Sequence, residues 1–420
     1  MSKSKNNLLA SLDVGSSTIR MAVGQINHSE DQSQNGAIQI LGAAEVSSAG
    51  VVKGEISSIE EVVSSISTCL ERVERMVGVP IDSVWVGISG THILSQTNKG
   101  VVAVSKADSE ITEEDINRAL EASRAVSTPL NYEILHVLPK SFSVDGQSGI
   151  KDPVGMTGIR LEVDAQIILG SSSQVKNLTK AVYRAGLDVE DLVLSIIATS
   201  EIVVTARQKE LGVIVVDLGG STTNLAVFEE GNVIHTAVLP LGSDHITNDI
   251  AIGLRTSIDI AEKAKIEYGD CRSDMISKTD QVDLGKIGAP ESESIKRKYL
   301  SEIIEARVEE IFYKIDNELK LIKRSGLLPA GIVFVGGGSK LPGITESAKK
   351  YLRLPATLGY PLDIYSVTEK VNDLGFANVL GLLKWGSLMD THISKGFSMG
   401  SNKITGATNQ IKKWIKILIP

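Results

Sequence analysis

The sequence has few of the residues that mark secreted, metal-binding or membrane-spanning proteins. Its 420 residues include two cysteines, Cys69 and Cys271, in no metal or redox spacing. This excludes a disulfide framework and fits a reducing compartment. The six histidines show no metal-ligand spacing either. No apolar run reaches about 18 residues, so no transmembrane helix is predicted. Residues 1–7 lack a signal-peptide core.

Positive charge is scarce over most of the chain. The net charge of −8 argues against a nucleic-acid partner held along an extended face. The last 30 residues are an exception, because they contain five lysines and no acidic residue. The composition, 42% hydrophobic and 22% charged, is typical of a globular protein with a buried core. Glycine is more frequent than usual, which favours turns that approach a ligand closely.

A repeated segment divides the chain into two related halves. Residues 13–23 (DVGSSTIRMAV) and 217–227 (DLGGSTTNLAV) are identical at six of eleven positions. Each copy follows a short apolar run, contains Asp-x-Gly and small hydroxyl residues, and leads into another strand-like run. This pattern predicts a strand, a tight turn and a second strand in each half.

Helical periodicity predicts several helices and one insertion. The longest predicted helix covers residues 291–324, with apolar residues mostly at four-residue steps. Residues 246–268 are predicted as one helix capped by Thr247 or Asn248. Residues 84–163, which include a strand-like VWVGIS segment, are interpreted as a small α/β insertion in the first half.

The paired turns have the chemistry of a phosphate site. Their glycines direct backbone N–H groups outward, and such N–H groups bind anions. A single turn of this kind is more often an ordinary hairpin, but two copies in two halves favour phosphate binding. Asp13 and Asp217, facing each other across the phosphate, are predicted to hold Mg²⁺ through water. The residues that add hydroxyl donors are Ser16, Ser17, Thr18, Ser221, Thr222 and Thr223.

A third glycine-rich segment follows a predicted strand. Residues 336–339 (GGGS) would let a nucleoside lie against the backbone, and a following helix N-terminus favours phosphate. The segment is neither GxGxxG nor a P-loop, so Rossmann and P-loop folds are not indicated.

Together these motifs resemble the actin-like ATPase superfamily, and most closely the family of the bacterial cell-division protein FtsA. The segments at 150–162, 241–265, 301–312 and 335–343 carry the resemblance, which covers essentially the whole chain. It implies an α/β, two-lobed actin-like ATPase fold with an inserted small α/β subdomain in the first lobe and a C-terminal amphipathic helix. The implied parts are 1–83, 165–194 and 360–390 for the first lobe; 84–164 for the insertion; 195–227 and 303–359 for the second lobe; 228–302 for a nucleotide-side subdomain; 391–408 for a linker; and 409–420 for the terminal helix.

The resemblance implies ATP and Mg²⁺ as cofactors. It places Glu262 at the ribose hydroxyls and Lys265 along the adenine. Superfamily members that hydrolyse ATP well have an acid or amide before the second turn, where this chain has Ser195 and the nearest carboxylate is Glu201. No catalytic residue is therefore assigned, and hydrolysis is expected to be weak at most. The predicted nucleotide-binding residues are Gly15, Ser16, Ser17, Arg20, Gly219, Gly220, Ser221, Thr222, Gly242, Asn248, Glu262, Lys265, Gly337, Gly338 and Ser339.

The last twelve residues (NQIKKWIKILIP) have the pattern of an amphipathic helix. At 100° per residue, Ile411, Trp414, Ile415, Leu418 and Ile419 share one face. On the opposite side are Lys412, Lys413 and Lys416. This pattern predicts a helix that lies on an anionic membrane surface, tethered by a linker over 391–408. The alternative is a final helix docked on the body of the protein.

The resemblance also implies partners and a location. It implies a peripheral protein on the cytoplasmic face of the cell membrane at the division site, which forms filaments and contacts other division proteins. The long helix would bind the acidic C-terminal tail of FtsZ, with Arg297, Lys298 and Arg307 as candidates. Two alternatives remain. A sugar or acyl kinase of the same superfamily would need a catalytic Asp that is not found. A PilM-like pilus platform would reach the membrane through partners.

Overall fold

The computed structural model describes residues 8–26, 38–105, 109–125, 127–289, 294–362, 364–366 and 369–395. Its strands are β1 (Leu8–Val14), β2 (Thr18–Ile26), β3 (Ile38–Ser47), β4 (Val51–Val52), β5 (Glu55–Ile56), β6 (Ser83–Ile88), β7 (Ile93–Ala103), β8 (Tyr132–Val144), β9 (Gln147–Ile150), β10 (Arg160–Ser171), β11 (Asp188–Leu194), β12 (Val213–Leu218), β13 (Thr223–Glu229), β14 (Asn232–Leu239), β15 (Gln281–Asp283), β16 (Ser294–Lys296), β17 (Gly331–Val335), β18 (Ala356–Leu358) and β19 (Ile364–Ser366). Its helices are α1 (Ile59–Val77), α2 (Glu113–Ser123), α3 (Ser172–Arg184), α4 (Ser195–Val203), α5 (Ala206–Leu211), α6 (Ser243–Leu254), α7 (Ile258–Tyr268), α8 (Arg297–Leu321), α9 (Ile344–Leu352) and α10 (Ala377–Lys395).

The two halves of the chain form two sheets with the same arrangement. The first has the strand order β11-β6-β1-β2-β3-β19, and the second has the order β18-β17-β12-β13-β14. In each sheet the strand that carries Asp-x-Gly pairs antiparallel with the next strand along the chain. On its other side it pairs in parallel with a strand from later in the sequence. The predicted two-lobed α/β fold is confirmed.

Helices α4 and α10 pack between the two sheets. Side chains alternate across a strand, so successive residues of β12 face different cores. Val213 and Val215 share a core with the first sheet, α4 and Trp385 of α10. Ile214 and Val216 face the opposite way, into a second core with α6, α8 and α9. Burial of each such side chain contributes about 1.5–3 kcal/mol to the stability of the folded protein. The shared core therefore holds the two lobes together beneath the turns.

The insertion is a separate layer with boundaries different from those predicted. Strands β7, β10, β8 and β9 form an antiparallel sheet that, with α2, encloses its own apolar core. Strand β6, predicted to belong to the insertion, lies instead between β1 and β11 in the first sheet. The insertion also continues past residue 164, because β10 extends to Ser171. An apolar run such as VWVGI indicates a buried strand without indicating which sheet it joins.

Several predicted helix boundaries are corrected by the structure. The single helix expected over 246–268 is two helices, α6 and α7. Arg255 ends α6 in a left-handed conformation (φ 51°). The Ser257 hydroxyl accepts the Ile260 N–H at the start of α7. Thr247 and Asn248 therefore lie inside α6 and are not caps. The long helix α8 is shorter than predicted, because residues before it form β16, which pairs with β15.

The predicted linker is only partly described. Helix α10 continues to Lys395, so the first five residues of the linker predicted over 391–408 are helical. The rest of that linker and the predicted membrane helix at 409–420 lie outside the described residues. Within the described ranges, no helix is long and apolar enough to cross a membrane.

Candidate functional site

The two Asp-x-Gly turns face each other between the lobes and have equivalent backbone geometry. The Gly15 N–H donates to the Thr18 carbonyl at 3.1 Å, and the Gly219 N–H donates to the Thr222 carbonyl at 3.0 Å. The strand register places Asp13 opposite Arg20 in the first hairpin. It places Asp217 opposite Asn224 in the second. The sequence repeat is therefore a structural repeat, and its two copies approach each other at one cleft.

A cavity of about 360 Å³ separates the two turns, a size within the usual range for small-molecule sites. Most of the predicted nucleotide and metal residues line it. They are Asp13, Gly15, Ser16, Ser17, Arg20, Asp217, Gly219, Gly220, Ser221, Thr222, Glu262, Lys265, Gly337 and Gly338.

Asp13 and Asp217 lie at the bottom of this cleft, 6% and 5% exposed. The Asn378 amide bridges them: its Nδ2 lies 3.4 Å from Asp13 Oδ2 and 3.0 Å from Asp217 Oδ2. Burial and the nearby Asp217 together raise the pKa of Asp13 to about 6, against an opposing effect of Arg20. Burial also raises the pKa of Asp217. Two ionised carboxylates here are costly, so the site favours a bound cation.

The acidic pair fits a magnesium ion that keeps most of its own water. Among the described residues, no group of three or more His, Cys, Asp or Glu has the placement of a metal site. The protein thus offers two carboxylates and no full ligand cage. Mg²⁺ is commonly bound this way, by one or two carboxylates together with waters and phosphate oxygens. Asp13 and Asp217 would hold it, and the ion would offset their charge and that of a phosphate.

The backbone of α6 supports the second turn. The Ser243 N–H donates to the Gly219 carbonyl at 2.9 Å, and the Asp244 N–H donates to the Gly220 carbonyl at 2.8 Å. A side chain at Gly242 would collide with the Gly220 carbonyl. Gly242, which was predicted to bind nucleotide, does not line the cavity. Its lack of a side chain instead lets the helix N-terminus contact the turn.

The first turn is supported from a different direction. The Ser16 hydroxyl accepts the Gly54 N–H at 2.9 Å, which ties the turn to the β4–β5 hairpin. Arg20 pairs with Glu45 at 3.1 Å and lies over the Phe376 ring at 5.4 Å. Its guanidinium is thus held in place at the edge of the cavity.

The far wall of the cavity is formed by α7 and the glycine-rich segment. The Lys265 ammonium is buried and contacts Glu262 at 2.7 Å and the Thr247 hydroxyl at 2.8 Å. Gly336 has φ +86°, and a side chain there would collide with the Asp217 carboxylate. This is a position that glycine fills without strain. Apolar surface comes from Ile266, Leu341 and Pro342.

Some predicted residues lie outside the cavity, and some cavity residues were not predicted. Asn248 is on the exposed face of α6. The buried Ser339 hydroxyl donates to the Val335 carbonyl at 2.5 Å and does not line the cleft. Asn224 also lines the cavity. It corresponds to Arg20 when the two repeated segments are aligned, so the repeat could have identified it. Other lining residues were also missed: Ser243, Asp244 and Lys340 lie within the segments at 241–265 and 335–343, whereas Gly54, Ser89, Gly375 and Asn378 lie in no segment singled out from the sequence.

The candidate partner residues on α8 are largely engaged within the protein. Arg307 contacts the Asp249 carboxylate at 2.5 and 2.9 Å, which joins α8 to α6. The Arg297 Nε donates to the Tyr268 carbonyl at 2.9 Å. Lys298 is half-buried. Glu201, the carboxylate nearest to the expected catalytic position, pairs with Lys209 at 2.7 Å and does not line the cleft.

Two related sheets, each with an Asp-x-Gly turn at a shared cleft, define the actin-like ATPase class of fold. Solved structures show the same architecture. PilM of the PilM–PilN type IV pilus biogenesis complex aligns over 90% of this chain and 98% of its own, with TM-score 0.66 and 16% identity. MreB5 of Spiroplasma citri bound to ADP aligns over 93% and 99%, with TM-score 0.53 and 12% identity. At such identities the likeness is one of fold.

Sequence comparison identifies the family. The model for "Cell division protein FtsA" matches residues 214–381, and the model for the "SHS2 domain inserted in FTSA" matches residues 90–169. The chain is 33% identical to FtsA of Pseudomonas aeruginosa over 97% of both chains. It is 39% identical to FtsA of Bacillus subtilis over 83% of this chain and 77% of the relative. The protein belongs to the FtsA family of cell division proteins.

Proposed function

We propose that this cell division protein binds Mg-ATP in its cleft, assembles into filaments, and tethers FtsZ to the cytoplasmic face of the membrane. The nucleotide part rests on one observation: two buried carboxylates, Asp13 and Asp217, face each other beside the two Asp-x-Gly turns. The turns would hold the phosphates through N–H and hydroxyl donors. The wall with Glu262 and Lys265 would take the nucleoside.

Hydrolysis is proposed to be slow. The carboxylates that line the cavity in the described part of the chain are Asp13, Asp217, Asp244 and Glu262. The first two are assigned to the cation, and Glu262 is paired with Lys265. A general base must reach the attacking water, and no residue here is assigned that role. The bound nucleotide would therefore act mainly as a structural ligand.

Calorimetric titration tests the nucleotide site. Asp217→Ala should weaken Mg-ATP binding by roughly ten- to a hundredfold, because it removes half of the cation site. The exposed Asp274, which lies outside the cavity, provides a matched control, and Asp274→Ala should bind like the unaltered protein. Unchanged affinity in Asp217→Ala would refute the assignment.

The membrane proposal rests on the sequence of residues 409–420. Each lysine near an anionic surface contributes about 1 kcal/mol, and each fully buried large apolar side chain at most about 1.5–3 kcal/mol. Folding the helix offsets part of this, so one tail should bind reversibly. Many tails on a filament would bind firmly through their high effective concentration. Filament formation and membrane attachment would then reinforce each other.

Sedimentation with anionic vesicles tests the anchor. The full chain should pellet with vesicles in Mg-ATP, and a chain ending at Thr408 should stay soluble. Trp414→Glu should release the protein, because it places a charge on the apolar face. Asn409→Glu adds the same charge on the lysine-rich side and should release much less of the protein from the vesicles. Equal binding by the full and shortened chains would remove the anchor from the proposal.

Binding of the FtsZ tail can be tested on α8. Lys298→Ala should weaken binding of a labelled acidic FtsZ C-terminal peptide in fluorescence anisotropy. Arg307→Ala should also lower the melting temperature, since Arg307 joins α8 to Asp249 of α6. If Lys298→Ala and Arg307→Ala both bind the peptide normally while the unaltered chain binds it, the contact lies elsewhere.

A further inference from the structure

One carboxylate contacts both phosphate-type turns without belonging to either. Asp244 is the second residue of α6. The Ser17 hydroxyl of the first turn donates to Asp244 Oδ2 at 3.2 Å. The Ser221 hydroxyl of the second turn donates to the same oxygen at 3.0 Å. Ser17 and Ser221 are equivalent positions of the repeat, so Asp244 joins the two halves through their matching hydroxyls.

This contact uses donors that a bound phosphate would need. Ser17 and Ser221 both line the cavity, as does Asp244. A carboxylate oxygen and a phosphate oxygen are both anionic acceptors, so the same hydroxyl proton cannot serve both at once. Turn two also approaches Ser17 closely, since a side chain on Gly220 would collide with the Ser17 hydroxyl and with Asp244. The three groups together close this side of the cleft.

We propose that Asp244 is an internal competitor of the nucleotide phosphates and thereby sets the affinity of the site. In the structure its carboxylate holds Ser17 and Ser221 together across the cleft. An incoming phosphate takes over these hydroxyls, and Asp244 must turn away. The inference rests on the proposed nucleotide site, and it assigns to Asp244 a role in affinity, with no part in chemistry.

Charge makes this competition specific for phosphorylated ligands. Asp244 and a phosphate repel each other, and the repulsion is stronger in a cleft than in bulk water. A nucleoside without phosphate is not subject to this repulsion. The effect of removing the Asp244 charge should therefore depend on the presence of phosphate on the ligand and not on the base.

Asp244→Asn is the direct test, because it removes the charge and keeps the shape and one acceptor oxygen. In isothermal titration the variant should bind ATP and ADP on the order of tenfold more tightly. Its adenosine affinity should be unchanged. Asp259→Asn is the matched control, since Asp259 is the second residue of α7, is exposed and does not line the cavity. It should bind all three ligands like the unaltered chain.

The same titrations can overturn the proposal. Unchanged or weaker ATP binding by Asp244→Asn would contradict it. If the variant lost affinity for Mg-ATP but not for metal-free ATP, Asp244 would be a cation ligand instead. Tighter binding of adenosine would show that the substitution acts on the base pocket. If the unaltered chain bound no ATP, the proposed nucleotide site would itself fail, and that result is distinct from the others.

A second measurement needs no nucleotide. In hydrogen exchange of the empty protein, Asp244→Ala should speed exchange of amides in both turns, Gly15–Thr18 and Gly219–Thr222, because their connecting carboxylate is gone. Asp259→Ala should leave them unchanged. Unaltered exchange in Asp244→Ala would show that the contact does not hold the cleft and would overturn the proposal on its own.

Discussion

The two turns have the same backbone but different supports. The first is tied by a side chain, since Ser16 accepts the Gly54 N–H from a two-strand hairpin, and by one main-chain contact, in which the Ser48 N–H donates to the Ser17 carbonyl at 3.0 Å. The second is tied by main chain alone at Gly219 and Gly220, whose carbonyls accept two N–H groups of α6. Turn two has two such main-chain contacts and turn one has one, so we expect turn one to be the side of the cleft that adjusts more readily.

The two carboxylates differ in a related way. Asp13 faces the cation Arg20 across its hairpin, yet burial and the neighbouring Asp217 raise its pKa to about 6. Asp217 faces the neutral Asn224, whose amide donates to it at 3.2 Å. One residue, Asn378, serves both acids. The Asn378 amide thus joins the two halves at the place where their buried carboxylates repel each other.

The largest effect is expected from removing this shared donor. Asn378→Ala leaves two buried carboxylates with fewer partners and should lower the free energy of unfolding by about 3 kcal/mol at pH 7.5 without Mg²⁺. At pH 5, below the Asp13 pKa, the loss should be smaller, because a protonated Asp13 carries no charge. Urea unfolding at the two pH values measures this.

The exposed Asn248 supplies the control for that experiment. Asn248→Ala should change the free energy of unfolding by less than about 0.5 kcal/mol at either pH. An equal loss for Asn378→Ala at pH 7.5 and pH 5 would show that the amide acts through packing and not through the charge of the acids.

A smaller effect of opposite sign is expected from Asp13→Asn. Because the folded-state pKa of Asp13 is raised from 3.8 to about 6, its ionisation costs the folded protein stability; the cost builds up between about pH 4 and pH 6 and is complete above pH 6. The variant should be more stable than the unaltered chain by about 2–3 kcal/mol at pH 7.5 without Mg²⁺. The difference should shrink as the pH falls from 6 towards 4. Melting temperatures across this range measure it.

Magnesium and the second acid sharpen this comparison. Mg²⁺ should stabilise the unaltered chain and have less effect on Asp13→Asn, because half of the proposed cation site is neutral. Asp217→Asn should also be stabilising at pH 7.5, since burial raises the pKa of Asp217 too. A variant less stable than the unaltered chain at pH 7.5 would contradict the account of two conflicting charges.

The sequence predicted the local parts of the site much better than its distant ones. The repeat located both turns and both acids, because a tight turn depends on its own few residues. Asn378 lies 365 residues from Asp13 and 161 from Asp217, so no local pattern links them. The membership of β6 was also mispredicted, because hydrophobicity reports that a strand is buried and not which strands it pairs with.

Helix continuity was mispredicted for a different reason. Residues 246–268 keep enough apolar periodicity to appear as one helix, yet α6 ends at Leu254 and α7 begins at Ile258. The signal was present in Ser257, a side chain of the type that caps helices. Periodicity outweighed it, because both helices contribute apolar residues to the same core. The consequence for the site is that Glu262 and Lys265 lie on a helix of their own, which forms the far wall.

The smallest effect tests the comparison of the two turns most directly. Ser16→Ala removes the acceptor of the Gly54 N–H and should cost about 1 kcal/mol of stability. In hydrogen exchange the Gly54 amide should exchange faster, while the Ser243 and Asp244 amides, which donate to turn two, should keep their protection. Ser89→Ala, another serine that lines the cleft, should change neither set. Equal loss of protection at both turns would mean that they move as one unit, and the expectation that turn one adjusts more readily would then be wrong.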